Sequence, residues 1–467
     1  MRKTVLSQFI PACLMLLPLA SMALAGQPQT GAWCVLTTAS DAGAATLEVG
    51  PGKPFARIEQ ANAQAKPGDV ILVYPLVNGQ PYEQTAVSVR QRNLTFLAAS
   101  SSGSTHITIS GRGFDYSGLG STPRAIFQFN AGADHCTLEG FELTGAHNQS
   151  HNGAGVRINQ ANHVTIRNCT IHHNDMGIMS GGDGSAQTAV DQRIEHCQIH
   201  HNGDPSEPGY NHNLYLGGTS ATLSFCEIHS SLTGHNVKSR AHHTRIQYCY
   251  VHHSANREFD LVDAVDTTRP ESHAVLIANV IVKNPQCKGN RGVIHFGQDG
   301  GKAHDGTLCL WFNTVVTPFV SPLVELSAAG AKAELLGNLI TDGGVRQNYQ
   351  QIVVARKGAN SEAVTGEWNW FSGGFSSSGT GLSPQTNRFE RSTVAVFVDP
   401  AQHDYRLTSQ AAKLAVTGLS LANLDVPRVP GMPYADVEPP LVWQYRHPAG
   451  KEKRPLTAKL ACGAHGP

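Results

Sequence analysis

The sequence lacks net charge: 35 Lys and Arg residues balance 35 Asp and Glu. This removes the basic face that nucleic acid or an anionic membrane surface would require, so neither is an expected partner. Charge of either sign is scarce, at 15% of residues, while glycine is plentiful, at 47 residues. Long solvated helices need the opposite balance, and many short strands joined by tight turns fit this one. Long apolar runs are missing too, except at the start. No later segment reaches the roughly 18 continuous apolar residues needed to span a bilayer, so membrane insertion is not expected.

At the start, Arg2 and Lys3 precede an apolar run from Val5 to Ala20, and Ala23-Leu24-Ala25 supplies small residues before a cleavage point. Pro11 and Pro18 and the shortness of the run suit a retained anchor poorly. Residues 1–25 are expected to be a signal peptide, and the mature chain to be exported, periplasmic or secreted, and monomeric.

A repeat organises most of the mature chain. Ile166-Arg-Asn-Cys169-Thr-Ile171-His172-His173 recurs as Ile194 to His201, Leu223 to His229 and Ile246 to His253, with cysteines every 23 to 29 residues. The frame extends backwards through Leu138, Phe141 and Leu143, and forwards through Asn279-Val280, Asn313-Thr314, Asn338-Leu339 and Asn369-Trp370. Each unit is too short to bury an apolar face alone, and its period-2 pattern is that of a strand, so successive turns must stack. The expected fold class is all-β, a parallel β-helix of about ten turns. The expected organisation is an N-terminal segment with a capping helix over 26–66, the β-helix over 67–415 and an irregular C-terminal tail over 416–467.

The repeat also fixes which side chains share a column. Cys169, Cys197, Cys226 and Cys249 should form a buried ladder of free thiols, because stacked neighbours about 4.8 Å apart with parallel directions are poorly aimed for disulfides. Cys287 and Cys309, in later connecting segments, are the better disulfide candidates. His172, His200, His229 and His252 should form another column. Zinc or copper binding is one reading of it, and a stacked, hydrogen-bonded structural ladder is the favoured one.

A different strand of each turn carries Val156-Arg157, Ile178-Met179, Leu214-Tyr215, Val237-Lys238, Phe259-Asp260 and Ile294-His295. With the first of each pair facing the core, Arg157, Met179, Tyr215, Lys238, Asp260 and His295 line one outward strip about 24 Å long. Its middle is chemically dense: His212 and Asn213 flank Tyr215, His235 and Asn236 precede Lys238, Arg240 follows it, and Arg257, Glu258 and Asp263 bracket Asp260. Cleaving a uronic-acid polymer by β-elimination needs neutralisation of the C6 carboxylate, a base for the C5 proton and an acid for the departing O4. The preferred assignment is Arg240 with Asn213 or Asn236 on the carboxylate, Lys238 or His235 as base and Tyr215 as acid. Arg157, His212, Arg257, Asp260 and His295 are further substrate-binding candidates, and the expected partner is an acidic polysaccharide. No cofactor is required, and the one candidate is calcium at Glu258 and Asp263. The alternatives are a C5-epimerase using the same proton abstraction, a glycoside hydrolase using Asp260 and Asp263, and a non-catalytic polysaccharide-binding protein.

The front end, Phe55-Ala-Arg-Ile-Glu-Gln-Ala61, then Ala65-Lys-Pro-Gly-Asp69-Val-Ile-Leu-Val73 and Pro81-Tyr82, resembles the opening of secreted pectate-lyase-like proteins. The resemblance implies a single-stranded, right-handed β-helix whose first turn is covered by a short helix. Phe397-Val-Asp-Pro400 and Asp404-Tyr-Arg-Leu407 are similar to the tail that closes such proteins. Lys238-Ser239 resembles the Lys-Ser pair of the chondroitinase B and alginate lyase family, which implies a lysine base, an arginine acid and calcium. The chain departs from that family at Asp260, where arginine would stand, and at Ser231 and Thr233, where calcium-binding glutamates would stand. The Tyr, His, Lys and Asp grouping is also similar to alginate C5-epimerases, without their Asp-Pro-His motif.

Overall fold

The structure is a computed structural model that describes residues 43–466 except 100–105, 264–268, 301–303, 320, 346–348, 391–395, 415–416, 418, 420–440 and 456–459. The expected signal peptide and residues 26–42 lie outside the described residues.

Short strands stack into three parallel sheets of twelve, eleven and ten members. One turn runs from Leu214–Leu216 in the ten-stranded sheet, through Ser220–Ser224 in the twelve-stranded sheet, to Glu227–His229 in the eleven-stranded sheet. The next turn repeats this with Val237–Ser239, His243–Gln247 and Tyr250–His252, each paired in parallel with its predecessor. Equivalent apolar residues therefore superpose: Ile166, Ile194, Leu223 and Ile246 form one column and Ile171, Ile199, Ile228 and Val251 another. All eight are buried in one continuous core. A short unit gains its burial from its neighbours, as the repeat length required.

Between the twelve- and eleven-stranded sheets the chain turns within two residues. Asn168, His196, Phe225 and Tyr248 adopt left-handed φ values of 53°, 53°, 56° and 54°, and each turns the following cysteine inward. Cys169, Cys197, Cys226 and Cys249 are buried and free, as expected. The column then continues as asparagines: Asn279, Asn313, Asn338 and Asn369 bond amide to amide at 3.0, 3.1 and 2.8 Å. Cys287 and Cys309, expected as disulfide candidates, are also free. Cys287 Sγ donates to the Ala255 carbonyl at 3.3 Å, whereas Cys309 belongs to the strand Thr307–Trp311 and packs in a separate apolar cluster.

The rings of His172, His200, His229 and His252 stack with centroids 5.1, 4.8 and 4.8 Å apart. His172, His200 and His252 each bond through Nδ1 to the histidine next in the chain, at 2.7, 2.9 and 2.7 Å. Among the described residues no group of three or more His, Cys, Asp or Glu has the geometry to hold a metal ion.

The first turn of the described stack is covered. The helix Ile58–Gln64 buries Ile58 and Ala61 against the first strands, Thr46–Val49, Val70–Val73 and Val87–Val89, removing an edge that would otherwise pair with further strands. Towards the C-terminus, Phe397–Asp399 pairs antiparallel with Asp404–Leu407. The tail, expected to be irregular, carries an antiparallel hairpin of Trp443–Arg446 with Gly450–Lys453. Its Tyr445 packs on Tyr250, and the Leu441 N–H donates to the Tyr248 hydroxyl at 3.0 Å. Outward aromatics of the helix thus give the tail an apolar surface on which to fold. No helix among the described residues is long and apolar enough to cross a membrane.

Candidate active site

In the ten-stranded sheet Arg157, Met179, Tyr215, Lys238, Asp260 and His295 pair rung by rung, and Glu325 continues the column. Alternation sends these side chains outward because Val156, Ile178, Leu214, Val237, Phe259 and Ile294 are fully buried.

Asp260 is the hub. Its carboxylate meets Lys238 Nζ at 2.6 Å, His295 Nδ1 at 2.7 Å, His235 Nε2 at 3.7 Å and Arg257 Nη1 at 3.9 Å. Burial alone would raise its pKa, but His295, His235 and Lys238 outweigh it and hold the group well below the ordinary carboxylate range. His295 is fixed on its far side by Ser327 Oγ at 2.7 Å. Arg257 donates to Glu325 at 2.6 Å, and Arg356 meets the same carboxylate at 3.2 Å.

Lys238 also donates to Asp299 Oδ2 at 2.7 Å, and Arg240 Nη2 donates to the same oxygen at 2.6 Å. Asp299 is half-exposed, and the two cations bring its pKa to about 2 against the opposing effect of burial. Burial would lower the Lys238 ammonium, yet Asp260 and Asp299 reverse this and raise it above its ordinary value. Of the two bases expected, Lys238 or His235, the lysine is thus the one that two carboxylates hold protonated.

His235 has the opposite environment. Burial, reinforced by Lys238 and Arg257 and opposed by Asp260, brings its pKa down to about 4, so the ring is neutral near pH 7. Its Nδ1 is buried with no hydrogen-bond partner among the described residues. The ring of His212 stacks on it at 5.1 Å and accepts the His235 backbone N–H at 3.0 Å through Nδ1. Tyr215 lies against His212 at 5.7 Å, with the Arg240 guanidinium 5.5 Å from its ring.

Four expected site residues are placed differently. Asn213 and Asn236 are fully buried at the corner before their strands, inside a ladder running Asn174, Asn202, Asn213, Asn236 and Glu258. Their amides also donate to the carbonyls of His229 and His252, at 2.7 and 2.8 Å, so they have no capacity left for a substrate carboxylate. Glu258 ends the ladder, accepting from Asn236 at 2.6 Å and from the Ser254 N–H at 3.1 Å, with Lys283 Nζ at 3.7 Å. Burial raises its pKa to about 7, against Lys283 and these hydrogen bonds. Asp263 is buried at the end of the strand Phe259–Asp263. Glu258 is thus committed to the interior, and the pair does not fit the expected calcium site.

Asp299, Glu325 and Ser327 were not anticipated. Glu325 obeys the same alternation one rung beyond His295 and was legible in Val324-Glu325-Leu326. Asp299 and Ser327 lie just past strand ends, where alternation carries no signal.

A family model described as a right handed beta helix region matches residues 124–304. With the three parallel sheets, this match defines the class: a right-handed parallel β-helix protein. No curated protein matches the sequence. Solved structures similar to it include pectate lyase Pel9A, at 15% identity and a TM-score of 0.47, covering 82% of this chain and 94% of that one. An alginate lyase from Paenibacillus sp. str. FPU-7 has 14% identity and a TM-score of 0.38, covering 74% and 98%. Pectin methylesterase from carrot has 13% identity and a TM-score of 0.31, covering 76% and 91%.

Proposed function

We propose that this chain is a polysaccharide lyase that cleaves a uronic-acid-containing polymer by β-elimination on the ten-stranded sheet. The observation that carries this reading is the cradle around Asp299: Lys238 and Arg240 both donate to one carboxylate oxygen, at 2.7 and 2.6 Å. A uronate carboxylate has the same chemistry and would take the same two donors.

With the carboxylate neutralised there, the C5–H bond is weakened towards an enolate. His235, neutral at pH 7, accepts the proton through Nε2, the ring nitrogen that lies 3.7 Å from Asp260. The released electron pair forms the C4–C5 double bond, the C4–O4 bond breaks, and the Tyr215 hydroxyl protonates the departing oxygen. Asp260 positions Lys238 and His295 and does not enter the proton transfers. Hydrolysis by Asp260 and Asp263 needs one of the two as proton donor, and Asp260 is held ionised, which leaves that role to Asp263, buried at the end of its strand. An epimerase would share the abstraction step and return the proton to the other face of the sugar.

The test is incubation of the purified protein with a panel of uronate polymers, with ultraviolet absorbance of unsaturated chain ends as the readout. Absorbance should appear with the wild type and fall by about 100- to 10,000-fold in His235→Gln. Absence of unsaturated product from every polymer, or full activity in His235→Gln, would overturn the reading. Inverted C5 configuration without cleavage would identify the epimerase.

A further inference from the structure

Every cation of the cluster around Lys238 has a carboxylate partner. The opposite end of the same sheet does not share this balance. There a cavity of about 340 Å³ is lined by Arg90, Arg124 and Arg157, with Ser88, Gln128 and Asn130 among its polar walls. Among the described residues, none of the three arginines is paired with a carboxylate. Arg157 Nη1 donates to Met179 Sδ, at 3.6 Å. Burial, with the charge of Arg124 adding to it, lowers the pKa of Arg157.

The neutral groups of the cavity satisfy one another. Asn130 donates to Ser88 Oγ at 3.1 Å and accepts from Gln128 Nε2 at 2.8 Å and Asn159 Nδ2 at 3.3 Å. Gln128 Oε1 accepts the Arg124 backbone N–H at 2.9 Å. These bonds hold the floor in place and leave the guanidinium charge uncompensated. A planar guanidinium pairs best with a planar, bidentate anion, and a carboxylate is the anion that an acidic sugar would bring.

We infer that Arg90, Arg124 and Arg157 form an anion subsite for a second carboxylate-bearing sugar of the same chain. Arg157 and Lys238 are separated by Met179 and Tyr215, so three rungs of ~4.8 Å set the two carboxylate positions about 14 Å apart. The inference rests on the reading of the strip as a polysaccharide site and sets a minimum length for a good ligand: an oligosaccharide must reach both positions to bind fully. The Arg pocket supplies affinity and register, and the Lys238 end supplies chemistry.

Calorimetric titration tests it without requiring turnover. A uronate hexasaccharide, its carboxyl-reduced neutral counterpart and a uronate disaccharide are titrated into wild type, into Arg124→Gln/Arg157→Gln, and into Arg167→Gln as a control on another sheet. The wild type and the control should bind the acidic hexasaccharide and not the neutral one. The double variant should lose at least about tenfold in affinity for the hexasaccharide and little for the disaccharide, with its thermal midpoint unchanged. If the double variant does not fold, Arg90→Gln, on an exposed side chain, carries the same comparison. Wild-type affinity in the folded variants, or equal binding of the neutral hexasaccharide, overturns the subsite. Loss of binding in the variants from a protein that yields no unsaturated product would support the subsite and remove the lyase reading alone.

Discussion

Lys238 and His235 sit within reach of the same carboxylate, that of Asp260, yet they end in opposite protonation states. The ammonium has two charge-assisted hydrogen bonds to carboxylates, at 2.6 and 2.7 Å, and stays charged. The imidazole is buried 3.7 Å from one of them and feels the cations Lys238, Arg257 and Lys283, so it stays neutral. This division gives a pH signature. A base with a pKa of about 4 is active when deprotonated, so turnover should rise through pH 4 and level off above it, about two units below an ordinary histidine. In a pH–rate profile Lys238→Ala should lower the plateau and move that acid limb to higher pH, because the ammonium is one of the charges that hold the His235 pKa down. His235→Gln should remove the limb with the activity. A limb near pH 6.5 in the wild type, or one that stays in place when Lys238 is removed, would assign the proton transfer to another group.

At the scale of the element, strand alternation reaches as far as the strand does. The column from Arg157 to His295 was legible because each residue has a buried neighbour before it and the repeat fixes its rung. Asn213 and Asn236 also precede inward residues, and alternation alone would send them outward. They sit at corners, where the chain turns and exposes its own carbonyls, and the amides turn in to satisfy them. Glu258 joins the asparagines for the same reason, and Asp299 reaches the site from a loop that no periodicity describes. The corner ladder therefore predicts stability effects, not binding effects. Asn236→Leu leaves the Asn213 amide and the His252 carbonyl short of a partner and should cost about 1–3 kcal/mol, read as a lower denaturant midpoint. The KM of the folded protein should stay near that of wild type. A raised KM at unchanged stability would return Asn236 to the substrate.

For the molecule as a whole, the sequence made the stacked architecture legible because one pattern is repeated from turn to turn and errors in any single turn are outvoted. The hairpin of the tail was not legible, since it depends on Tyr248 and Tyr250 far away in sequence. The stack also sets the response to acid. Burial and the neighbouring rings bring His200 and His229 to about 3, while in the unfolded chain each titrates near 6.5. The unfolded state therefore binds protons first as pH falls, and stability should decline steadily below about pH 6.5. Thermal midpoints measured from pH 8 to pH 4 check this, and His200→Gln should shallow the decline. A flat profile would mean that the folded ladder takes up protons as readily as the unfolded chain does. The buried thiols have a consequence of another kind. None of the eight cysteines among the described residues closes a loop, so through them the backbone is, in covalent terms, an open line with no cross-link to preserve its shape. Everything that distinguishes the native winding from any other is written in register alone, and a chain diluted from denaturant must find that register again without help from sulfur chemistry.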